Sequence, residues 1–286
     1  MQTYGSRYRR AALIPVSAAA VACVTALAGV PAFADDGGDA SKLSARQLAD
    51  DATKELLDAK SLHLMLKTTS KGPADAQSPA ALDLALDRDG NCTGSLKMGT
   101  GGADGGSVEL VKRDNQVWMK PDTTFWKTQV AGGAGELAAQ LFNGRYVHGA
   151  ADEGLLKSLG DTCDLKAFQA QVDGGPSSAP PEKLTKGKPT KVDGTDVVPL
   201  AGRNDGAAVV LYVTDKSPHR LVRATEKQGD VSTTMTLTDY NRPVPTATPS
   251  AADSVDVSKL DNLSPKATPP QAGARTLQPQ GSRIST

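Results

Sequence analysis

Histidine is the residue type in this sequence best suited to acid–base or metal chemistry, and it occurs three times. His63, His148 and His219 have no metal-ligand spacing relative to the cysteines, and the zinc motif H-E-x-x-H is absent. The hydrolase motif G-x-S-x-G is absent too, although a Ser/His/Asp triad assembled from distant positions stays open. We expect all three histidines in exposed positions: His63 on a strand, His148 in a glycine-rich loop and His219 at a turn. We therefore predict no enzyme, no metal and no cofactor.

The glycine-rich segment 99–106 invites comparison with phosphate-binding loops. Asp104 replaces the third glycine of G-x-G-x-x-G, and the segment links two predicted strands, whereas a phosphate loop opens a helix. We therefore predict a hairpin loop here. The chain also carries 32 basic and 32 acidic residues, so it lacks the positive charge typical of a nucleic-acid binder.

The first 34 residues have the composition of a targeting segment. Three arginines among the first ten residues precede an apolar stretch, residues 11–34, that ends in A-F-A. This order predicts a secretory signal peptide that is cleaved between Ala34 and Asp35. One alternative is an uncleaved anchor, because an apolar stretch of this length can span a bilayer. The other is lipidation of Cys23, whose preceding A-V-A loosely resembles a lipobox.

Removal of the signal peptide leaves two cysteines, Cys92 and Cys163. An even number of cysteines in an exported protein predicts a disulfide, so we expect these two to be joined. Closing a loop of about 70 residues would stabilise the fold by about 4 kcal/mol if the effect is purely chain entropy. A reduced pair is the alternative.

The spacing of apolar residues predicts a helix followed by a run of strands. Residues 43–59 repeat apolar side chains at a helical period, and Ser44 is suited to cap that helix. Leucines then alternate with other residues at 62–66 and 82–86, which is typical of strands with one face packed in the core and the other exposed to solvent. Further strands are predicted at residues 92–98, 108–111, 117–120, 125–127, 190–192, 197–200, 208–213, 221–224 and 231–238.

Helical spacing returns at residues 132–172, where leucines predict three short helices. A connector rich in Pro, Ser and Lys follows at 174–188. Because the strands are too closely connected for parallel crossovers, this order predicts an α+β fold with an antiparallel sheet. We place the domain at 43–260, after the signal peptide (1–34) and a polar leader (35–42). A disordered tail rich in Pro, Thr and Ser is predicted at 261–286.

Most large aromatic residues of the domain fall close together in the sequence. We expect Trp118, Phe125, Trp126 and Tyr146 to cluster in the core or at the rim of a cavity. A platform that stacks on sugars is the alternative.

Several motifs resemble one family of exported proteins. They are L-x-L-x-L-x-x-x-G-x-C-x-G-x-L at 82–96, V-W-M-K-P-D-x-x-F-W-K at 117–127 and V-D-G-x-D-V-V-P-L at 192–200. The pattern is similar to that of the actinobacterial LppX/LprA/LprF/LprG lipoproteins, whose fold resembles the LolA/LolB lipoprotein carriers. The resemblance implies a curved antiparallel half-barrel covered by helices, with an apolar cavity for acyl chains or lipidated partners. Many members carry a firm lipobox, whereas this sequence has the better signal-peptidase site.

The apolar faces of the strands supply the candidate lining of that cavity. A curved sheet with three short helices on it would leave a groove, and apolar pockets are usual ligand sites. The candidate lining residues are Leu62, Leu64, Leu66, Leu82, Leu84, Leu86, Val108, Leu110, Val117 and Met119 from early strands, Leu137, Leu141 and Phe142 from a helix, and Val209, Leu211, Met235 and Leu237 from late strands. The alternative is that the same residues fill a core, in a scaffold module that binds envelope proteins.

These expectations also define location and partners. We predict a non-enzymatic carrier or binder that is secreted or lies on the extracellular face of the cell envelope. Its partner is expected to be a lipid or an acylated protein, with association at the outer face of the membrane left open. We expect a monomer that does not bind nucleic acid.

Overall fold

The computed structural model describes residues 40–152, 154–174 and 183–257. The predicted signal peptide, its cleavage site, Cys23 and the predicted tail lie outside the described residues, so these predictions stay untested. Among the helices that are described, none is long and apolar enough to cross a bilayer.

The described strands form one large sheet that is curved and not closed. In chain order they are β1 (Ser61–Ser70), β2 (Asp75–Asp87), β3 (Cys92–Thr100), β4 (Ser107–Arg113), β5 (Gln116–Pro121), β6 (Tyr146–Ala150), β7 (Thr185–Lys186), β8 (Thr190–Val192), β9 (Thr195–Asn204), β10 (Ala207–Thr214), β11 (Leu221–Gln228), β12 (Val231–Thr238) and β13 (Ser254–Asp256). Across the sheet the order is β13-β6-β5-β4-β3-β2-β1-β12-β11-β10-β9-β7, and β8 pairs with β9. Strands β6 and β13 are parallel, and the other pairs are antiparallel. The predicted α+β fold with a curved antiparallel sheet is confirmed.

Alternating leucines explain the register of the central strands. Leu64 of β1 lies opposite Leu84 of β2 and Leu237 of β12, so apolar rows run across neighbouring strands. A slip by one residue would turn every leucine to the opposite side of the sheet, and this strongly specifies the pairing. We call the side that carries these rows the inner face. The opposite side, which carries His63 and Asp83, is the outer face.

Five helices accompany the sheet within the described residues. They are α1 (Ala45–Asp58), α2 (Thr123–Gln129), α3 (Gly133–Leu141), α4 (Gly154–Gly160) and α5 (Leu165–Gly174), with short 3-10 helices at Ala40–Lys42 and Asp161–Cys163. As predicted, Ser44 caps α1. Its hydroxyl accepts a hydrogen bond from the Gln47 amide at 3.2 Å, and the Gln47 side chain accepts one from the Ser44 amide at 2.9 Å.

Helices α1 and α5 are tied to each other by one buried side chain. Gln169 of α5 donates from Nε2 to the carbonyl oxygens of Leu56 (2.8 Å) and Ala59 (2.9 Å), which supplies hydrogen bonds to acceptors at the C-terminal end of α1. Arg88, which follows β2, donates to Gln169 Oε1 at 3.1 Å and also to the Leu57 carbonyl. This network fixes both helices to one end of the sheet.

The segment 125–127 is helical, contrary to the strand predicted there. Asp122, directly after β5, explains the difference because it is the N-cap of α2 and its Oδ1 accepts from the Phe125 amide at 2.7 Å. The same carboxylate accepts from the Ser107 amide at 2.8 Å, so the start of α2 is anchored to β4.

The histidines are less exposed than predicted. His63 is half-buried on the outer face, with Nε2 2.6 Å from Asp83 Oδ1. His148 lies on β6, where pairing with β5 and β13 replaces the predicted loop. His219 is buried, and its Nδ1 lies 3.0 Å from the Thr214 carbonyl oxygen. The three histidine rings thus lie on different elements and do not form one site.

Cys92 and Cys163 form a disulfide, and their Cα atoms lie 5.5 Å apart. Both side chains are fully buried. The bond joins β3 to the 3-10 helix that precedes α5, across 71 residues of sequence. It therefore holds the α4–α5 segment against the end of the sheet where α1 is anchored.

Replacement of both cysteines by alanine should lower the free energy of unfolding by about 4 kcal/mol, because the unfolded chain regains the entropy of a long loop. Urea unfolding of the double variant beside the wild type measures this difference. Dithiothreitol provides the control, since it should lower the stability of the wild type and leave the double variant unchanged. Equal midpoints for the oxidised wild type and the variant would contradict the prediction.

Candidate functional site

The structure gathers most of the predicted lining residues on the inner face. Thirteen are buried in a single apolar cluster, and Leu82 and Phe142 pack against it half-buried. The thirteen are Leu62, Leu64, Leu66, Leu84, Leu86, Val108, Leu110, Val117, Met119, Val209, Leu211, Met235 and Leu237. The cluster also includes side chains of α1, α4 and α5. That these residues contact a ligand stays a prediction.

Leu137 and Leu141 lie outside this cluster, contrary to prediction, and are 55% and 59% exposed. The small residues of α3 explain their orientation. Gly135 and Ala139, also four residues apart, form the buried side of the helix. A Cβ atom on Gly135 would lie 2.5 Å from the Trp126 carbonyl oxygen, so only glycine permits this approach of α3 to α2. The two leucines consequently face solvent.

Burial on the inner face decreases toward one end of the central strands. On β1 the exposed fraction rises from 2% at Leu62 to 9% at Leu66. On β2, Leu84 and Leu86 are buried whereas Leu82 is half-buried. Leu66 lies directly opposite both Leu82 and Met235 in the sheet, so the less buried positions adjoin one another. We call this region the open end of the inner face.

Polar side chains follow at the open end. Thr68 of β1 and Thr233 of β12 are paired across the strands, and their hydroxyl oxygens lie 3.4 Å apart. Glu226 of β11 lies opposite Thr233, on the same side as Ala224 of the inner face. Burial raises the pKa of the Glu226 carboxyl. The apolar face thus ends in a polar rim that includes a partly desolvated acid.

Helix α2 is fixed by polar bonds at this part of the sheet, where it packs against β2, β4 and β5. Thr128 donates to the Gly105 carbonyl at 2.8 Å, and Gln129 donates to the Ala76 carbonyl at 2.8 Å. Helix α3 is held differently. Within the described residues, none of its side chains forms a hydrogen bond or ion pair with another element, so its attachment is apolar.

The aromatic residues divide between the two faces, which corrects the prediction of one cluster. Phe125 and Trp126 of α2 are buried in the core. Trp118 and Tyr146 lie on the outer face, where Trp118 stacks on His148 with ring centroids 5.7 Å apart. The division follows from strand alternation, since the neighbours of Trp118 on β5 point to the inner face.

A polar group surrounds Tyr146 on the outer face. Its hydroxyl donates to Glu109 at 2.7 Å, and Lys120 forms an ion pair with Glu109 at 2.8 Å. Burial and the neighbouring Glu109 raise the pKa of Tyr146 to about 12. This group is separated from the inner face by the thickness of the sheet, so it takes no part in the open end.

A family model described as LppX_LprAFG lipoprotein matches residues 44–246. The chain belongs to this family. The resemblance inferred from the motifs is therefore confirmed, and the match covers α1 and every strand from β1 to β12. No curated protein matches the sequence.

Solved structures similar to this LppX_LprAFG family member include two mycobacterial lipoproteins. LprF from Mycobacterium bovis is 15% identical with a TM-score of 0.49, over 72% of this chain and 97% of that one. LppX from Mycobacterium tuberculosis is 13% identical with a TM-score of 0.43, over 70% and 97% of the two chains. A LolA superfamily protein from Nitrosomonas europaea is 11% identical with a TM-score of 0.20, over 71% and 96%.

Glu226→Gln should stabilise the protein at pH 7 and leave its stability unchanged near pH 3.5. In the wild type, the raised pKa means that the folded protein loses stability as the pH rises from the ordinary range of a glutamate through the folded pKa. The amide does not ionise, so the variant avoids this loss. Urea unfolding of both proteins at the two pH values measures the difference.

The matched control for this prediction is Asp230→Asn, which removes an exposed carboxyl from the turn between β11 and β12. We expect it to leave the stability difference between the two pH values close to that of the wild type. A Glu226→Gln variant with the pH dependence of the wild type would contradict the role assigned to Glu226.

Proposed function

We propose that this protein is a non-enzymatic carrier that binds the acyl chains of a lipid, or of an acylated partner, on the inner face of its sheet. The observation that carries the proposal is the apolar inner face itself, whose burial decreases toward an open end with a polar rim. Membership of the LppX_LprAFG lipoprotein family supports the same reading. We further propose that it acts outside the cell membrane, either secreted or at the extracellular face of the envelope.

Hydrophobic burial would supply the binding energy. Each methylene group transferred from water to apolar surroundings contributes about 0.8 kcal/mol. The fully buried leucines, such as Leu84 and Leu86, would surround the distal part of a chain. The less buried Leu66 and Leu82 would surround the part nearest the headgroup.

The polar rim would orient the ligand. Thr68 and Thr233 present hydroxyl groups that can donate to and accept from a polar headgroup. Glu226 carries a partly desolvated carboxyl, and a second negative charge beside it would be repelled. The rim therefore favours headgroups that carry hydroxyl groups or positive charge at this position.

Native mass spectrometry of the mature protein, followed by organic extraction, tests the proposal. We expect co-purified lipid in a near-stoichiometric amount. Leu82→Gln should remove most of it, because a polar amide would face the acyl chain. The matched control is Met65→Gln, which places the same amide on the outer face of the neighbouring strand.

Equal lipid content in the folded Leu82→Gln and Met65→Gln variants would contradict the assignment of the inner face. A lipid-free mass that persists after incubation with mixed membrane lipids would contradict the carrier function. That result would favour the scaffold alternative with a filled core.

The intact mass of the exported protein tests its location. We expect an N-terminus at Asp35, as for a protein released by signal peptidase. A diacylated Cys23 at the N-terminus would contradict cleavage at Ala34 and indicate anchoring to the outer face of the membrane.

A further inference from the structure

Few buried polar atoms of the described residues lack a hydrogen-bond partner, and most of these have an evident explanation. Asp50 forms an ion pair with Arg46 at 3.0 Å. Arg113 donates from Nη1 to two carbonyl oxygens, and its unpaired Nε and Nη2 belong to a cation that Asp87 and Asp114 attract. His148 has one ring nitrogen that needs no acceptor when it carries no proton. The Nε1–H of Trp126 is likewise an obligate donor without a partner, and it belongs to a neutral ring, so attraction to neighbouring carboxylates does not compensate for it.

The surroundings of Trp126 connect this donor to α3. The side chain is only 5% exposed, and its ring packs against Phe142 with centroids 5.8 Å apart. Phe142 directly follows α3, and Gly135 near the start of α3 approaches the Trp126 backbone. The unpaired donor thus belongs to a residue of α2 that α3 contacts at two points. Native structures rarely bury a donor without a partner, since its lost hydration is not repaid.

Helix α3 is held to the rest of the protein without polar side-chain bonds. Among the described residues its side chains form no hydrogen bond or ion pair with another element, and its N-cap Gly132 provides no side-chain hydrogen bond. Two glycines, at positions 133 and 135, lower the helical propensity of its first turn. Leu137 and Leu141 already present an apolar surface to the outside.

We propose that the ligand enters between α2 and α3, and that Trp126 Nε1–H donates a hydrogen bond to the ester carbonyl oxygen of an acyl chain. The proposal rests on the carrier function above and narrows the ligand to ester-linked acyl chains. An ester carbonyl is a good acceptor that enters apolar surroundings together with its chain. An ether oxygen is a weaker acceptor, and a hydrocarbon has none. The entering acyl chain would displace the contact between the Trp126 and Phe142 rings.

The first experiment locates the ligand. The sequence has two tryptophans, so Trp118→Phe leaves Trp126 as the sole tryptophan fluorophore. We expect diacylglycerol with brominated acyl chains to quench the emission of this variant. Trp126→Phe is the matched control, because it retains Trp118 on the outer face and should show no quenching while native mass spectrometry still detects bound lipid. Lipid bound to Trp118→Phe without quenching would overturn the proposal.

The second experiment tests the hydrogen bond. We compare the affinities of two lipids for the wild type and for Trp126→Phe. The lipids are dipalmitoylglycerol and di-O-hexadecylglycerol, in which two ether links replace the two esters. The wild type should prefer the ester about fivefold, which is the expected effect of one neutral hydrogen bond. Trp126→Phe should lose the preference and retain its affinity for the ether. A purely structural role of Trp126 would weaken both lipids alike.

The outcomes separate this inference from the carrier function. Equal affinities of the wild type for ester and ether would overturn the inference alone. The same ester preference in both proteins would overturn it too. Binding of neither lipid, together with no co-purified lipid, would overturn the carrier function. If Trp126→Phe does not fold, the quenching of Trp118→Phe decides, since that variant retains Trp126.

Discussion

One constraint governs this structure: a large antiparallel sheet has an apolar face that a few short helices must cover. The order of elements limits where the cover can come from, because α1 precedes the sheet and α2 to α5 all lie between β5 and β7. Antiparallel sheets can expose one face to water, but exposing a face that carries rows of leucines costs free energy of hydration. The burial of the inner-face side chains therefore varies along the strands, from fully buried at Leu84 to half-buried at Leu82.

The polar bonds are distributed in the same uneven way. Gln169, Arg88 and the Cys92–Cys163 disulfide join α1 and α5 to the sheet at the end where burial is complete. At the other end α2 is hydrogen-bonded, but α3 rests on it through small and apolar side chains. Regions with few buried apolar contacts open at a lower free energy than the rest of a protein, and α3 leaves Leu137 and Leu141 exposed. The end held by these polar bonds and the disulfide, which we call the rigid end, thus lies opposite the end where the proposed ligand entry is placed.

How much of this could be predicted from the sequence depended on whether the deciding contacts were local. Leucine alternation predicted β1, β2 and the inner face, and Ser44 predicted the start of α1. Strands β6 and β13 were missed because they are short and depend on neighbouring strands, one of them in parallel. Apolar spacing identified α3 but could not tell which side packs, since Gly135 decides this through its approach to α2. Glu226 was missed although its parity with Ala224 could have placed it on the inner face.

The order of chemical groups along the inner face supports the proposal of a lipid ligand. Fully buried leucines lie at the rigid end, and the less buried apolar side chains of Leu66 and Met235 follow them. The hydroxyl groups of the rim and the Glu226 carboxyl come last. An acyl lipid has the same order: hydrocarbon, ester, polar headgroup. In a filled core the indole N–H of Trp126 stays without a partner, which lowers stability, and the partly buried Glu226 carboxyl is desolvated without compensation. Under the carrier proposal, a bound lipid would supply polar contacts to both groups.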